Sequence, residues 1–250
     1  MLGVIPTLIQ DDPDFSESPS LVLIHDGGGT TINYYFLGDL DRHVWGISNE
    51  KLVDVNAWPG GINQMARTYV DLIQSELPRG PLIFGGWSVG GLIALEMAKV
   101  FAGNAEFPVL GVIMMDTFYP SAADTGFSQD AAAIQWGEAT TEESKQITLK
   151  SMANCSKFAQ QWSRDSSQKV NMPRKLPPII LLCASEGYAE DTKPSRGNHI
   201  LGWENYQPNL FSHVLKVPGN HYSLFTDENI DGLTEGLSRA CEILEDAEDQ

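Results

Sequence analysis

Short apolar runs alternate along this chain with segments whose apolar positions recur at helical spacing. The runs "LVLIHD" (21–26), "HVWGIS" (43–48), "PLIFGGW" (81–87), "VLGVIMMD" (109–116), "PPIILLCA" (177–184) and "SHVLKVPG" (212–219) have strand length, and most are unbroken rather than alternating. An unbroken run suits a strand covered on both faces, the condition of a parallel sheet. Between them, "INQMARTYVDLIQSEL" (62–77) carries Ile62, Met65, Ala66, Tyr69, Val70, Leu72 and Ile73 as one helical stripe. "GLIALEMAKVFAG" ends on Gly103, suited to the position just past a helix C-terminus. "TDENIDGLTEGLSRACEIL" predicts a closing amphipathic helix. Strand and helix in series predict an α/β fold with a mostly parallel, doubly wound sheet.

One stretch breaks the rhythm. From Tyr119 to Lys175 no strand is predicted, and polar helical pieces such as "TTEESKQITLKSMANCSKFAQQW" fill the space. That is too long for a simple connection, so it reads as a helical lid, about 119–175, inserted into a single domain over 1–250. The opening "MLGVIPTLIQDDPDFSESPS" carries no helix cap and is assigned no element; it fits a boundary within a longer polypeptide.

At 250 residues and 42% hydrophobic content, the chain has enough apolar material for one sizeable core. The net charge of −17 opposes nucleic acid and anionic membrane as partners. Part of that charge lies in "CEILEDAEDQ", read as a solvated terminus. Cys155, Cys183 and Cys241 have no CxxC spacing and cannot all pair; Cys183 and Cys241 read as small buried hydrophobes. A reducing, cytoplasmic setting follows. No signal-peptide pattern is present, and no apolar stretch reaches the roughly 18 residues of a membrane span. Neither HExxH nor clustered Cys/His spacing occurs, so no metal or cofactor is expected.

The chemistry concentrates at Gly86-Trp87-Ser88-Val89-Gly90, a G-x-S-x-G between a predicted strand and a predicted helix. This is the context of a nucleophile elbow: a tight turn lifts the hydroxyl out, and the helix start supplies positive potential for an oxyanion. Of five histidines, His221 in "VPGNHYSLF" lies beyond the serine, after the last strand, where such a fold places its base. His43 and His213 open strands and read as edge residues. His199 sits in a polar loop, and His25 stands where it can orient the glycine run. Two carboxylates end strands, Asp116 and Glu186, and the residues alone leave both open as the partner of the imidazole. "HDGGGTT" (25–31) offers backbone N–H groups for the second half of an oxyanion hole, with Val89 the first donor and Gly27 or Gly28 the second. A phosphate loop is excluded there, since G-x-x-x-x-G-K-[ST] is absent.

Together "LVLIHDGGGTTINYY", "VWGIS", "GPLIFGGWSVGGLIALEMA", "GVIMMDTFYP" and "VPGNHYSLF" resemble, in order and over nearly the whole chain, the type I thioesterase domains of polyketide synthases and nonribosomal peptide synthetases. The resemblance implies an α/β-hydrolase fold and a triad of Ser88, His221 and Asp116, because in such domains the acid follows the strand after the nucleophile helix; Glu186 is the reserve. It implies an acyl or peptidyl carrier domain as partner, its phosphopantetheine arm bearing the thioester. The acyl chain would pass to Ser88 and leave by hydrolysis or cyclisation. Where that family commonly has proline before the glycines, this chain has His25-Asp26, and the glycine-rich loop and "DTFYP" look more like fungal synthases than bacterial ones. Trp136, Phe158, Trp162 and Trp203 are the aromatic candidates for the acyl channel under the lid, or for gluing the lid to the core. Two other readings compete: a free-standing carboxylesterase or lipase-like hydrolase, and a ligand-binding protein on a hydrolase fold.

Overall fold

The computed structural model describes residues 4–11, 18–120, 134, 136–137, 139–166, 176–186 and 200–247. Seven strands form one sheet: β1 (Val4–Gln10), β2 (Ser20–Ile24), β3 (Val44–Asn49), β4 (Leu82–Trp87), β5 (Val109–Met115), β6 (Ile179–Ala184) and β7 (His213–Val217). Their order is β1-β3-β2-β4-β5-β6-β7, with β1 antiparallel to β3 and every other pair parallel. This is the α/β-hydrolase architecture, and all six sequence-predicted strands lie in it.

The unbroken apolar runs have a direct cause. Val22, Ile24, Phe84, Val112, Met114 and Leu181 point into one core layer, with α1 (Gly61–Glu76), α2 (Val89–Phe101) and α3 (Glu142–Ser166). Their neighbours Leu21, Leu23, Ile83, Ile113, Met115 and Leu182 point into the other, with α4 (Ile230–Asp246). Each such side chain contributes about 1.5–3 kcal/mol by leaving water, so neither strand face tolerates a polar residue. α2 is buried along nearly its whole length, wedged between the sheet and α1. It ends as anticipated, on Gly103 with φ +80°.

The N-terminal stretch departs from expectation. Val4–Gln10, assigned no element from sequence, is a strand whose Val4 pairs with Asn49 and Leu8 with Trp45. Pro6 interrupts its pattern, and proline is tolerated here because β1 is the edge of the sheet. Between β5 and β6, α3 occupies 25 residues of the anticipated lid. Residues 121–133, 135, 138 and 167–175 of that stretch lie outside the described residues. α3 is tied down by Asn154, whose Nδ2 donates to the carbonyls of Leu52 (2.8 Å) and Val53 (3.3 Å). Among the described residues no helix is long and apolar enough to cross a membrane.

Candidate active site

Parallel strands in register bring their C-terminal ends to one edge of the sheet. Ile24 pairs with Gly86, Trp87 with Met115, Met115 with Leu182, and Ala184 with Val217. The residues that follow therefore converge: His25 to Gly27 after β2, Ser88 after β4, Asp116 after β5, Glu186 after β6 and His221 after β7. Ligands of open α/β sheets bind at this edge.

Ser88 holds φ 58° and ψ −126°, a conformation L-residues avoid, and α2 starts at the next residue. Its N–H donates to the carbonyl of Met115 at 3.0 Å. The flanking glycines serve close approach: a Cβ on Gly86 would lie 2.3 Å from the carbonyl carbon of Gly90, and one on Gly90 would lie 2.6 Å from the Ile24 oxygen and 2.7 Å from the His25 oxygen. The start of α2 thus rests directly on the end of β2. Tyr34, buried in the 3₁₀ turn Ile32–Phe36, reinforces the junction. Its hydroxyl donates to the Ile24 carbonyl (2.8 Å) and accepts the N–H of Trp87 (2.9 Å).

Asp116 is buried and also holds a positive φ, 45°. Its N–H donates to the carbonyl of Leu182 (2.8 Å), and its Oδ1 accepts the N–H of Ala184 (3.0 Å). With its backbone N–H and its Oδ1 both engaged, Asp116 accepts through Oδ2 from Nδ1 of His221 at 2.8 Å. A carboxylate on Nδ1 leaves Nε2 as the acceptor nitrogen of the neutral ring. His221 is buried in turn, its ring packed against Trp87 (centroids 5.2 Å apart), Phe118 (5.4 Å) and Tyr222 (5.1 Å). Trp87 immediately precedes Ser88, so the imidazole lies beside the elbow. Asn220 shapes the loop, its Oδ1 accepting the N–H groups of Tyr222 (3.0 Å) and Ser223 (3.2 Å). Glu186, by contrast, is exposed, and among the described residues it joins the His221 loop through its backbone N–H, which donates to Gly219 at 2.9 Å.

The glycine loop is organised by His25, which the sequence places where it can orient the glycine run, and by Asp26, for which the sequence predicts no such role. His25, fully buried, donates from Nδ1 to the Asp26 carbonyl (2.7 Å), and its Nε2 accepts from the hydroxyl of Tyr69 (2.7 Å). That hydroxyl accepts from Nδ2 of Asn49 (2.6 Å). Burial pulls the His25 pKa down to about 4, against the support of its backbone bond, so the ring stays neutral. Asp26 turns its Oδ1 back onto the N–H of Gly28 (2.8 Å), while its carbonyl accepts the N–H of Gly29 (3.1 Å). Burial raises its carboxyl to about 6, a rise that the bonds from Gly28, Thr30 and Gly29 and the nearby His221 restrain. Of the three glycines, Gly28 and Gly29 are committed; the N–H groups of Gly27 and Val89 meet no acceptor among the described residues.

The remaining candidates fall elsewhere. His43 pairs with Asp11 (3.2 Å) at the opposite end of the sheet, and His213 is exposed on an edge strand. His199 lies outside the described residues. Burial pushes the thiols of Cys155, Cys183 and Cys241 up, Cys183 to about 11, so none is a ready thiolate. Phe158, Trp162 and Trp203 are buried in the main core, and Trp136 is half-buried. The indole N–H of Trp162 donates to Glu96 (2.7 Å) and that of Trp203 to the Thr117 carbonyl (2.7 Å). These contacts fix α3 and the 203–206 turn onto α2 and β5. Among the described residues no group of three His, Cys, Asp or Glu side chains is arranged to hold a metal ion.

The family model for the thioesterase domain matches residues 19–241, from β2 into α4. The chain belongs to the thioesterase family. Curated relatives agree along the length of this thioesterase. It is 34% identical to "Thioesterase frbE" of Dothideomycetidae sp. (strain 11243), covering 96% of both chains. It is 36% identical to "Thioesterase AMT4" of Alternaria alternata, covering 90% of this chain and 85% of the other. It is also 32% identical to a segment of "Nonribosomal peptide synthetase imqB" of Aspergillus flavus, covering 95% of this chain and 8% of that protein. Among solved structures, the NocB thioesterase domain from the nocardicin cluster superposes with a TM-score of 0.68 at 23% identity, covering 91% of this thioesterase and 95% of that domain; this likeness is one of fold.

Proposed function

We propose that this thioesterase discharges an acyl or peptidyl chain from the phosphopantetheine arm of a carrier domain, through an acyl-enzyme on Ser88. The observation that carries the reading is the 2.8 Å hydrogen bond between Asp116 and His221, at the sheet edge that bears the Ser88 elbow. Nε2 of His221 takes the Ser88 proton as Oγ attacks the thioester carbonyl, and Asp116 stabilises the imidazolium. The oxyanion is held by the N–H groups of Val89 and Gly27; in favour of Gly27 over Gly28 is the prior commitment of the Gly28 N–H to Asp26. Collapse expels the carrier thiol, which takes the proton from His221. Water, or a hydroxyl, amine or carbon nucleophile of the same chain, then releases the product as acid or ring.

Support for a carrier partner in polyketide or nonribosomal peptide assembly comes from the relative that is itself a nonribosomal peptide synthetase. The helix α3 is read as part of a lid. Thr148 and Met152 on α3 lie over the glycine loop, with Thr148 Cγ2 at 3.2 Å from a Cβ built on Gly28 and Met152 Cγ at 3.5 Å from one on Gly27. All three cysteines are unpaired, in keeping with a reducing, cytoplasmic setting.

The test is to load acyl-pantetheine onto a purified carrier domain and follow its release by intact-protein mass spectrometry, beside hydrolysis of p-nitrophenyl esters. Carrier discharge at a kcat/KM about 100-fold or more above the ester, with an acyl mass on the Ser88 peptide, is the expected result. Equal efficiency on both substrates would favour a general carboxylesterase. The absence of any adduct on Ser88, even with an activated thioester, would favour a binding protein.

A further inference from the structure

We propose that Asp26 is a positioning residue for the oxyanion step, its side chain capturing the Gly28 N–H so that Gly27 alone presents a free loop donor beside Ser88. The inference rests on the acyl-enzyme reading above. Its first support is register. Ile24 pairs with Gly86 in parallel strands, so the loop that carries Asp26 and Gly27 leaves the sheet beside the turn that carries Ser88 and Val89. The second is contact: the space a Cβ on Gly90 would need is filled by the carbonyl oxygens of Ile24 and His25, which seats the start of this loop on the first turn of α2.

The third support is the division of donors. Three successive glycines have no side chains to set their conformation, and a loop of that kind samples many states. Here the Asp26 side chain closes a small ring with Gly28 (2.8 Å) and reaches toward the Thr30 N–H (3.5 Å), while its carbonyl takes the N–H of Gly29 (3.1 Å). Asp26 is itself anchored through its carbonyl by His25, which leans on Tyr69 and Asn49. The polar chain from Asn49 to Asp26 runs from β3 to the loop and ends where Gly27 is left uncommitted. A donor held in place before the reaction is worth more than one that must be recruited during it.

Asp26 also places a carboxyl in the electrostatic reach of His221. The titratable groups that face it are Tyr34 from the 3₁₀ turn, Cys155 from α3, His221 from the loop after β7 and His25 within its own loop. Of these, His221 is the one that gains charge in the proposed reaction. An Asp26 carboxylate therefore attracts the positive charge that forms there.

The experiment compares wild type, Asp26→Ala and Asp26→Asn by the pre-steady-state burst of a p-nitrophenyl acyl ester across pH, with circular dichroism on each protein. Asparagine keeps an acceptor oxygen for Gly28; alanine does not. Asp26→Ala is expected to slow acylation about 10- to 100-fold with KM changed by less than about threefold. Asp26→Asn should recover most of that loss, because its amide oxygen still accepts the Gly28 N–H. Asp26→Ala at wild-type speed, or Asp26→Asn as slow as Asp26→Ala, overturns the inference. Should the alanine chain fail to fold, the asparagine variant decides alone: acylation slowed about 10-fold or more with the acceptor oxygen kept overturns it. A wild-type protein that shows no burst and no Ser88 adduct would instead sink the acyl-enzyme reading itself.

Discussion

Ser88 and Asp116 end neighbouring strands and both hold φ on the positive side, at 58° and 45°, with the Ser88 N–H donating to the residue before Asp116. Non-glycine residues in such regions cost about 1–3 kcal/mol each and persist only where the surroundings over-determine them. Here the surroundings are the parallel ladder on both sides, and the strain falls on the two residues at which the chain leaves β4 and β5.

That strain predicts an inverse relation between stability and activity at position 88. The Ser88 side chain makes no capping hydrogen bond to α2, so Ser88→Ala loses no cap and should melt within about 2 °C of wild type. Ser88→Gly relieves the φ penalty and gives back only about 0.5–1 kcal/mol in chain entropy. It should melt about 2–4 °C higher. Both should be inactive in acyl release. Differential scanning calorimetry with a turnover assay checks the pair; a glycine variant that melts below wild type would mean the elbow is not strained.

The role proposed for Asp116 is tested by asymmetry between two carboxylates. In Asp116→Asn the Ala184 N–H still claims the oxygen of the amide, which turns the NH₂ toward Nδ1 of His221. Nδ1 must then accept, the proton moves to Nε2, and the ring cannot take a proton from Ser88. A loss of about 10³- to 10⁴-fold in kcat is expected. Glu186→Gln changes an exposed side chain and should stay within about twofold. Equal losses in a steady-state assay would remove Asp116 from its role.

How far the site could be read in advance follows from what each element needs. The elbow was legible because its close approaches, Gly86 on Gly90 and Gly90 on Ile24, exclude any larger residue and leave a five-residue trace. The place of His221 after the last strand was legible from chain order, and its pairing with Asp116 only through the family resemblance. β1 was not, since an edge strand needs just one apolar face and admits Pro6. Tyr34 left no trace either: its role as a bridge between Ile24 and Trp87 depends on where a short turn folds back, and "INYYF" reads like any apolar loop. Glu96 did leave one, a lone acid in an otherwise apolar stretch of α2, but its partners Trp162 and Lys99 come from another helix and from the next turn.

Opposed titrations in the glycine loop predict an unusual pH dependence. His25 binds a proton at about 4 in the native state against 6.5 in its unperturbed form. Over about pH 4–6.5 the unfolded chain holds the extra proton, so stability rises with pH. Asp26 goes from 3.8 to about 6, so over about pH 4–6 the native state holds the extra proton and stability falls with pH. Each slope is about 1.4 kcal/mol per pH unit, and the two nearly cancel. Asp26→Asn removes one of them. Between pH 6 and 4.5 that variant should lose about 2 kcal/mol more than wild type in urea unfolding. Parallel losses in the two proteins would show that these groups do not titrate in opposition.

The seat of α3 on α2 rests on one buried polar knot. Glu96 accepts the indole N–H of Trp162 at 2.7 Å and pairs with Lys99, whose ammonium also reaches the Tyr206 hydroxyl (2.8 Å) and lies 5.6 Å from the Trp162 ring centroid. Trp162→Phe keeps most of the aromatic packing and deletes a hydrogen bond to a charged acceptor, which costs about 1.5–3 kcal/mol. For a chain of this size that is a fall of roughly 3–12 °C in melting temperature. The effect should depend on Glu96: in a double-mutant cycle with Glu96→Ala, a coupling of about 1 kcal/mol or more is expected. Because Glu96 sits on the helix that follows Ser88, and α3 is read as part of the lid, Trp162→Phe should also slow release of long acyl chains more than short ones. A coupling near zero would reduce the indole to packing alone and leave α3 held by the Asn154 contacts and its apolar face.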